Sequence, residues 1–277
     1  MIRSIAALLV ALCLSAGGAA AQVAIPNFWD DGERVARPDL SAFTRIRFLT
    51  TVDFPPFNSL DANNQLTGFN VDLARAICTR LEVLPICQIQ AVPWGELQTA
   101  LATGEGEAAI AGLAINAETR GRLIFTRPYL RFPARFVVPR ALEAGDDLAS
   151  SIAGKRVGVI AGSAHLAMLR EAFPEARTVT YTRLDWMLRD LAQGKVDAAF
   201  GDGMRMSFWL AGTEGRTCCR FAGGPYLDPA YLGEGLAIAA TATNAPLVDA
   251  FDWALREISL DGTLADIYLR HFPVGFY

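Results

Sequence analysis

Histidine is nearly missing from this chain of 277 residues, which has two, His165 and His271. Cysteine is scarce as well, with five in all and no Cys-x-x-Cys spacing. These absences remove the usual zinc ligand sets, so neither a metal nor another cofactor is expected. Clustered basic charge is also lacking. Lys and Arg number 25 against 29 Asp and Glu, and a net charge of −4 without a basic cluster argues against a nucleic-acid surface. Beyond the first residues, no uninterrupted apolar run is long enough to cross a bilayer.

What is present begins with an address. Met1-Ile2-Arg3 supplies a positive start, residues 5–14 an apolar core, and Ala19-Ala20-Ala21 a small-residue cleavage pattern that leaves Gln22. Residues 1–21 therefore read as a signal peptide exporting the chain to a bacterial periplasm, and losing Arg3 takes the net charge from −4 to −5. The apolar core is too short for a comfortable membrane anchor. Cys13 lies inside it and follows Leu12, which does not suit a lipoprotein. The remaining cysteines, Cys78, Cys87, Cys218 and Cys219, are even in number, as an oxidising compartment favours, and allow three pairings. Cys78 sits late in a predicted helix and Cys87 opens the next strand, which favours a local clasp. Cys218 and Cys219 are then either a vicinal disulfide or two separate thiols.

At 52% hydrophobic and 19% charged, the chain can bury one large core or two ordinary ones. Residues 22–44 are mixed and punctuated by proline, an N-terminal arm with Phe28 and Trp29 as anchors. Strand 46–51 ends in Asp53-Phe54-Pro55-Pro56-Phe57, where two prolines stop it and leave two rings at its carboxyl end. Helix 71–81 follows with Asn70 as N-cap, then strand 87–92. Residues 93–129 are the organising stretch: helix 94–102, a glycine turn, a covered strand over 108–113, and a second helix opening near Asn116. A covered strand that ends in glycine and feeds a helix is a standard place for a ligand in an open α/β sheet.

Residues 129–138 are extended, with Pro133 weakening a central position, and 141–154 is polar and helix-like. The order then restarts: strand 156–160, helix 165–172, strand 178–181, helix 183–194 and strand 196–201, ending at Asp202. GEGEAAIAG in the first unit answers GKVDAAFGD in the second. Such a duplication predicts two similar lobes with a ligand cleft where strand ends face each other.

The run GFNVDLARAI, with GEGEAAIAGLAI, RPY, VGVIAGSA, KVDAAFGD and the tail LREISLDGTLADIYLRHF, resembles the bacterial extracellular solute-binding proteins of the polar amino-acid uptake family, periplasmic binding proteins of type 2. The similarity spans about 45–272 in register. It implies an α/β fold of two Rossmann-like lobes joined by two crossover strands near 130–138 and 231–239, with lobe 1 formed by 45–132 plus 238–277 and lobe 2 by 133–237. The function implied is that of a monomer capturing a small amino-acid-like or carboxylate solute by hinge closure and delivering it to an ABC permease.

The resemblance also places site residues. Phe54 and Trp94 match the aromatic clamp, or else are core aromatics. Asp202 matches the acceptor of the ligand's amino group, or is a helix N-cap. Gly162-Ser163-Ala164 matches the turn that meets the carboxylate, with Ser163 otherwise an ordinary cap. The family's Gly-x-Thr-x-Thr-x-Glu-Arg pattern stands here as Gly112-Leu113-Ala114-Ile115-Asn116-Ala117-Glu118-Thr119-Arg120. Ala114 replaces a threonine, and Arg120 is displaced by one residue, about 100° of helix rotation. Arg120 is a carboxylate fork or a surface salt-bridging arginine. Two other readings remain. One is a periplasmic enzyme like the cyclohexadienyl dehydratases, with Asp202 and Glu234 as candidate acids, although Glu234 more readily pairs with an arginine at the crossover. The other is an accessory or sensory binding module.

Overall fold

A computed structural model describes residues 28–30, 32–142 and 147–277. The predicted signal peptide and Cys13 lie outside the described residues, as do residues 143–146 of the polar segment. The first unit runs β1 (Ile46–Thr50), β2 (Asp53–Phe54), β3 (Asn58–Leu60), β4 (Leu66–Thr67), α1 (Phe69–Arg80), β5 (Cys87–Ala91), α2 (Leu97–Ala102), β6 (Ala108–Ala109), α3 (Ala117–Arg120) and β7 (Ile124–Phe125). The second runs β8 (Ala134–Pro139), α4 (Leu148–Ile152), β9 (Arg156–Ile160), α5 (Ala164–Ala172), β10 (Arg177–Tyr181), α6 (Leu184–Ala192), β11 (Ala198–Asp202), α7 (Gly203–Ala211), α8 (Thr213–Cys218) and β12 (Cys219–Tyr226). The chain then returns through α9 (Pro229–Leu232), β13 (Ala239–Ala240), α10 (Ala245–Leu260) and α11 (Thr263–His271).

Two five-stranded sheets result, ordered β5-β1-β6-β13-β7 and β10-β9-β11-β8-β12. Each contains a strand between two parallel partners, β1 between β5 and β6 and β9 between β10 and β11. The returning strand β13 pairs antiparallel with β6 and β7 and so closes the first sheet. The crossovers pass side by side: Leu236 N–H donates to Leu130 O at 2.7 Å and Tyr129 N–H to Leu236 O at 2.8 Å.

The sequence duplication has a physical counterpart. Arg47 on β1 bonds Glu107 through its backbone N–H and guanidinium and reaches Gly104 O at 2.7 Å. Arg156 on β9 bonds Asp197 in the same manner and reaches Gly194 O at 3.0 Å. The acid of each repeated motif therefore ties the amino end of β1 or β9 to the turn before the neighbouring parallel strand, β6 or β11.

Apolar periodicity explains the helices. In α10 the residues Leu247, Phe251, Ala254, Leu255 and Ile258 are buried, one stripe at helical spacing, and they pack with Phe48, Phe69 and Tyr268 in the first core. The second lobe divides its core across its sheet, with Phe136, Phe200 and Leu169 on one face and Met187, Leu188 and Met206 on the other. Each fully buried Phe or Leu contributes roughly 1.5–3 kcal/mol.

Several boundaries differ from the sequence reading. Asn70 is not the cap of α1; Gly68 is, at φ 126°, where a Cβ would lie 2.3 Å from Phe57 O. Asn70 is instead buried in a polar network. Its Nδ2 donates to Asn58 Oδ1 at 2.9 Å, Tyr129 OH donates to its Oδ1 at 2.8 Å, and Asn58 Nδ2 donates to Thr51 Oγ1 at 2.8 Å. Helix 94–102 opens with a 3₁₀ turn over Trp94–Glu96. The strand expected over 108–113 keeps ladder pairing only at Ala108–Ala109, because the chain beyond it curves into the loop at Gly112. Pro133 stands just outside β8, so β8 does occupy an interior position, between β11 and β12.

Both disulfides form, Cys78–Cys87 and Cys218–Cys219, the second between adjacent residues with Cα atoms 3.7 Å apart. In the arm, Trp29 is buried under the Arg127 guanidinium, and Phe28 lies beneath that of Arg131 and meets the Tyr277 ring edge-on. No helix among the described residues is long and apolar enough to cross a membrane.

Candidate functional site

One half of the site forms where β1, β5 and β6 end. The chain leaving β1 passes through Thr51 and Asp53 to Phe54, that leaving β5 reaches Trp94, and that leaving β6 reaches Gly112. Thr51, Asp53, Phe54, Trp94, Ala111 and Gly112 line a recess of about 230 Å³, and a neighbouring one of about 350 Å³ shares Thr51, Asp53 and Trp94 with it.

Phe54 is backed by Phe57, their rings stacked with centroids 4.7 Å apart. At Gly112 φ is +82° and a Cβ would approach Phe54 Cε1 to 2.9 Å, so glycine is what lets the ring lie against this turn. Trp94 lacks such cover and is 52% exposed. A large indole left bare beside a recess offers a face for a ligand rather than packing for the core. Beneath these loops the Thr51–Asn58–Asn70–Tyr129 network and the Thr50 Oγ1 bond to Ile110 O, 2.7 Å, hold β1 and β6 in register.

The loop to α3 has its own arrangement. Asn116 Oδ1 accepts Thr119 N–H at 3.0 Å, and Thr119 Oγ1 accepts Asn116 N–H at 3.1 Å. The Thr119 hydroxyl donates to Ala114 O at 2.7 Å and is buried. One residue further round the helix, Arg120 is exposed, and its Nη2 donates to Glu234 Oε1 at 3.0 Å and Oε2 at 2.8 Å. The expected pairing of Glu234 with an arginine at the crossover is thus met by the arginine expected to hold the ligand. Neither Arg120 nor Ala114 lines the recess described above.

The other half forms where β9, β10 and β11 end. Ser163 caps α5: its Oγ donates to Ile160 O at 2.7 Å and accepts Leu166 N–H at 3.2 Å. Its one proton is committed to the backbone, so the donors the turn can offer are the N–H groups of Ala164 and His165, which have no intrahelical acceptor. Asp202 caps α7, its Oδ1 accepting Arg205 N–H at 3.1 Å. Its Oδ2 has no hydrogen-bond partner among the described residues. Both side chains therefore perform the capping role the sequence allowed, and Asp202 does so with half of its carboxylate.

His165 lies in the first turn of α5, two residues after Ser163. Burial holds its imidazole below the usual histidine range, with Asp202 pulling it up and Arg205 pushing it down. Beside them, Ile160, Thr182, Arg183, Asp185, Arg205 and Trp209 help to line a recess of about 470 Å³.

Two lobes with aromatic, acidic and hydroxyl groups gathered at their strand ends describe a solute cleft, and the sequence profile of the bacterial extracellular solute-binding proteins, family 3, matches residues 46–274. The chain belongs to that family. The putative ABC transporter arginine-binding protein 2 of Escherichia coli (strain K12) is 34% identical over 232 residues, covering 84% of this chain and 92% of that protein. ABC transporter arginine-binding protein 1 of the same organism is 30% identical over 233 residues, covering 84% and 93%. Among solved structures, an ancestral cyclohexadienyl dehydratase matches with a TM-score of 0.69 at 20% identity, covering 87% of this chain and 99% of that one, a likeness of fold alone.

In this family 3 solute-binding protein the structure brings Phe54, Trp94 and Gly112 together and sets Ser163 and Asp202 at the end of the second sheet. It does not bring Arg120 or Ala114 to either recess. Three residues escaped the sequence reading: Thr51, Asp53 and Arg205. Asp53 adjoins Phe54, and Arg205 stands one turn beyond Asp202, so proximity to assigned residues was the signal that could have found them.

Proposed function

We propose that this family 3 solute-binding protein captures a small α-amino acid with a cationic side chain, closing its lobes over it for delivery to an ABC permease in the inner membrane. The observation that carries this reading is the acid set between two aromatic faces: Asp53 lines both recesses with Trp94, and Phe54 lines one of them, while no basic residue does. Such a pocket attracts a guanidinium or ammonium through charge and ring faces together. Asp202 then takes the α-ammonium through Oδ2, and the Ser163 turn meets the carboxylate.

Closure turns about the paired crossovers at Leu130 and Leu236 and brings the two recesses against each other. The lobe limits follow the sequence reading, 45–132 plus 238–277 and 133–237; β8 and β13 fall on either side of them in separate sheets, which supports it. The leader expected at 1–21 supports a periplasmic location, and the proposed role is that of a monomer without catalysis. The curated relatives named above are binding proteins, and Glu234 stands in an exposed ion pair rather than facing a recess as an acid should; both favour binding over turnover.

Calorimetric titration of the chain from Gln22 with L-arginine, L-lysine, L-histidine, L-glutamine and L-glutamate tests this. Binding is expected for at least one of the first three, and Asp53→Asn should weaken it. Binding of L-glutamate alone, or of none of the five, would overturn the reading.

A further inference from the structure

The carboxylate of a bound amino acid needs a cation, and the first lobe does not present one. Arg120 is spent on Glu234, at 2.8 and 3.0 Å, and the hydroxyl of Thr119 is turned to Ala114 O. In the second lobe Arg183 lines the large recess but is held by Asp185, Nε and Nη2 donating at 2.9 and 3.0 Å. Arg205 lines the same recess, is exposed, and its guanidinium has no ion pair or hydrogen bond among the described residues. It follows Asp202 by three positions, and its backbone N–H already binds Asp202 Oδ1 at 3.1 Å. Both charges act on the His165 ring, which places the negative and the positive group in one neighbourhood.

Resting on the amino-acid reading above, we propose that Arg205, with the Thr182 hydroxyl and the Trp209 ring beside it, forms the anion subsite of the cleft and takes the solute's carboxylate in place of Arg120. One turn of α7 then offers both halves of a zwitterion acceptor, Asp202 Oδ2 for the ammonium and the Arg205 fork for the carboxylate. The aromatic and acidic recess of the first lobe is left to read the side chain. Selectivity for amino acids over the matching amines therefore belongs to the second lobe, and side-chain selectivity to the first.

The test compares an acid with its neutral counterpart. Titrations use L-arginine and L-argininamide, or the corresponding pair for whichever amino acid the wild type binds, with wild type, Arg205→Ala, Arg205→Lys and Arg120→Ala. The wild type should prefer the acid by about tenfold or more, the range for one charge-assisted hydrogen-bonded group. Arg205→Ala should bind acid and amide alike, and Arg205→Lys should keep part of the preference. Circular dichroism checks that the exposed substitutions leave the fold intact. Retention of the full preference in Arg205→Ala, or its loss in Arg120→Ala alone, would overturn the assignment. Absence of binding in the wild type is a different result: it removes the amino-acid reading itself.

Discussion

Arg120 and Glu234 join the helix after the first lobe's glycine turn to the segment returning from the second lobe, one guanidinium nitrogen donating to both carboxylate oxygens at 3.0 and 2.8 Å. Their side chains are 54% and 44% exposed, so solvent screens the pair. Arg120→Ala and Glu234→Ala should each lower stability by about 0–1 kcal/mol, and the double variant should cost little more than either single change. Urea denaturation of the four proteins checks this; a loss above about 2 kcal/mol for either single variant would mean the pair is more than a screened surface contact.

Phe54 and Trp94 flank the same recess yet should respond differently to truncation. Trp94 is 52% exposed and Phe54 is packed on the fully buried Phe57. Trp94→Ala should weaken solute binding about tenfold with the melting temperature nearly unchanged, since it removes a ligand face and no core contact. Phe54→Ala should lower both. Gly112→Ala should act like Phe54→Ala, because its Cβ would meet that ring at 2.9 Å at a φ of +82°. Titration and thermal melts of the three variants separate these outcomes; equal loss of stability in Trp94→Ala would show that the indole serves the core.

Asp252 accepts Arg127 N–H at 2.8 Å, next to the Glu33–Arg127 ion pair that fastens the N-terminal arm. Burial pushes its carboxyl up to about 6, against the pull of Arg127, with Asp249 and Glu33 adding to the rise. A carboxyl raised in the folded state binds its proton more tightly there. Its contribution is therefore full below about pH 4 and fades as pH rises through about 6, by up to ~3 kcal/mol. Asp252→Asn keeps an acceptor for Arg127 but cannot ionise. Relative to wild type its melting temperature should rise between pH 4 and pH 7, and an unchanging difference over that range would show that Asp252 titrates as an ordinary surface acid.

Local rules were enough for much of this fold. The β-branched run Arg156–Ile160 is a strand as read, the Ser163 and Asp202 caps lie where short polar side chains precede apolar stripes, and the two acidic repeats mark the same turn in both lobes. Each depends on residues a few positions apart, and hydrophobic periodicity and capping act at that range. The order of the motifs likewise sufficed for the family and the two-lobed architecture.

Contacts between distant segments decided the rest. Asn70 has the character of a cap but is buried, because Asn58, twelve residues before it, and Tyr129, fifty-nine beyond, complete its hydrogen bonds. Arg120 has the character of a ligand fork, but Glu234 arrives from 114 residues away to take it. Asp53 and Arg205 became candidates only when Trp94 and Thr182 closed recesses around them. A charged or polar side chain has several partners it could satisfy, and the chain's own propensities do not rank them. The sequence by itself settled where strands, helices and caps occur; tertiary structure chose which polar group faces which, because that choice depends on the chain's long-range closure.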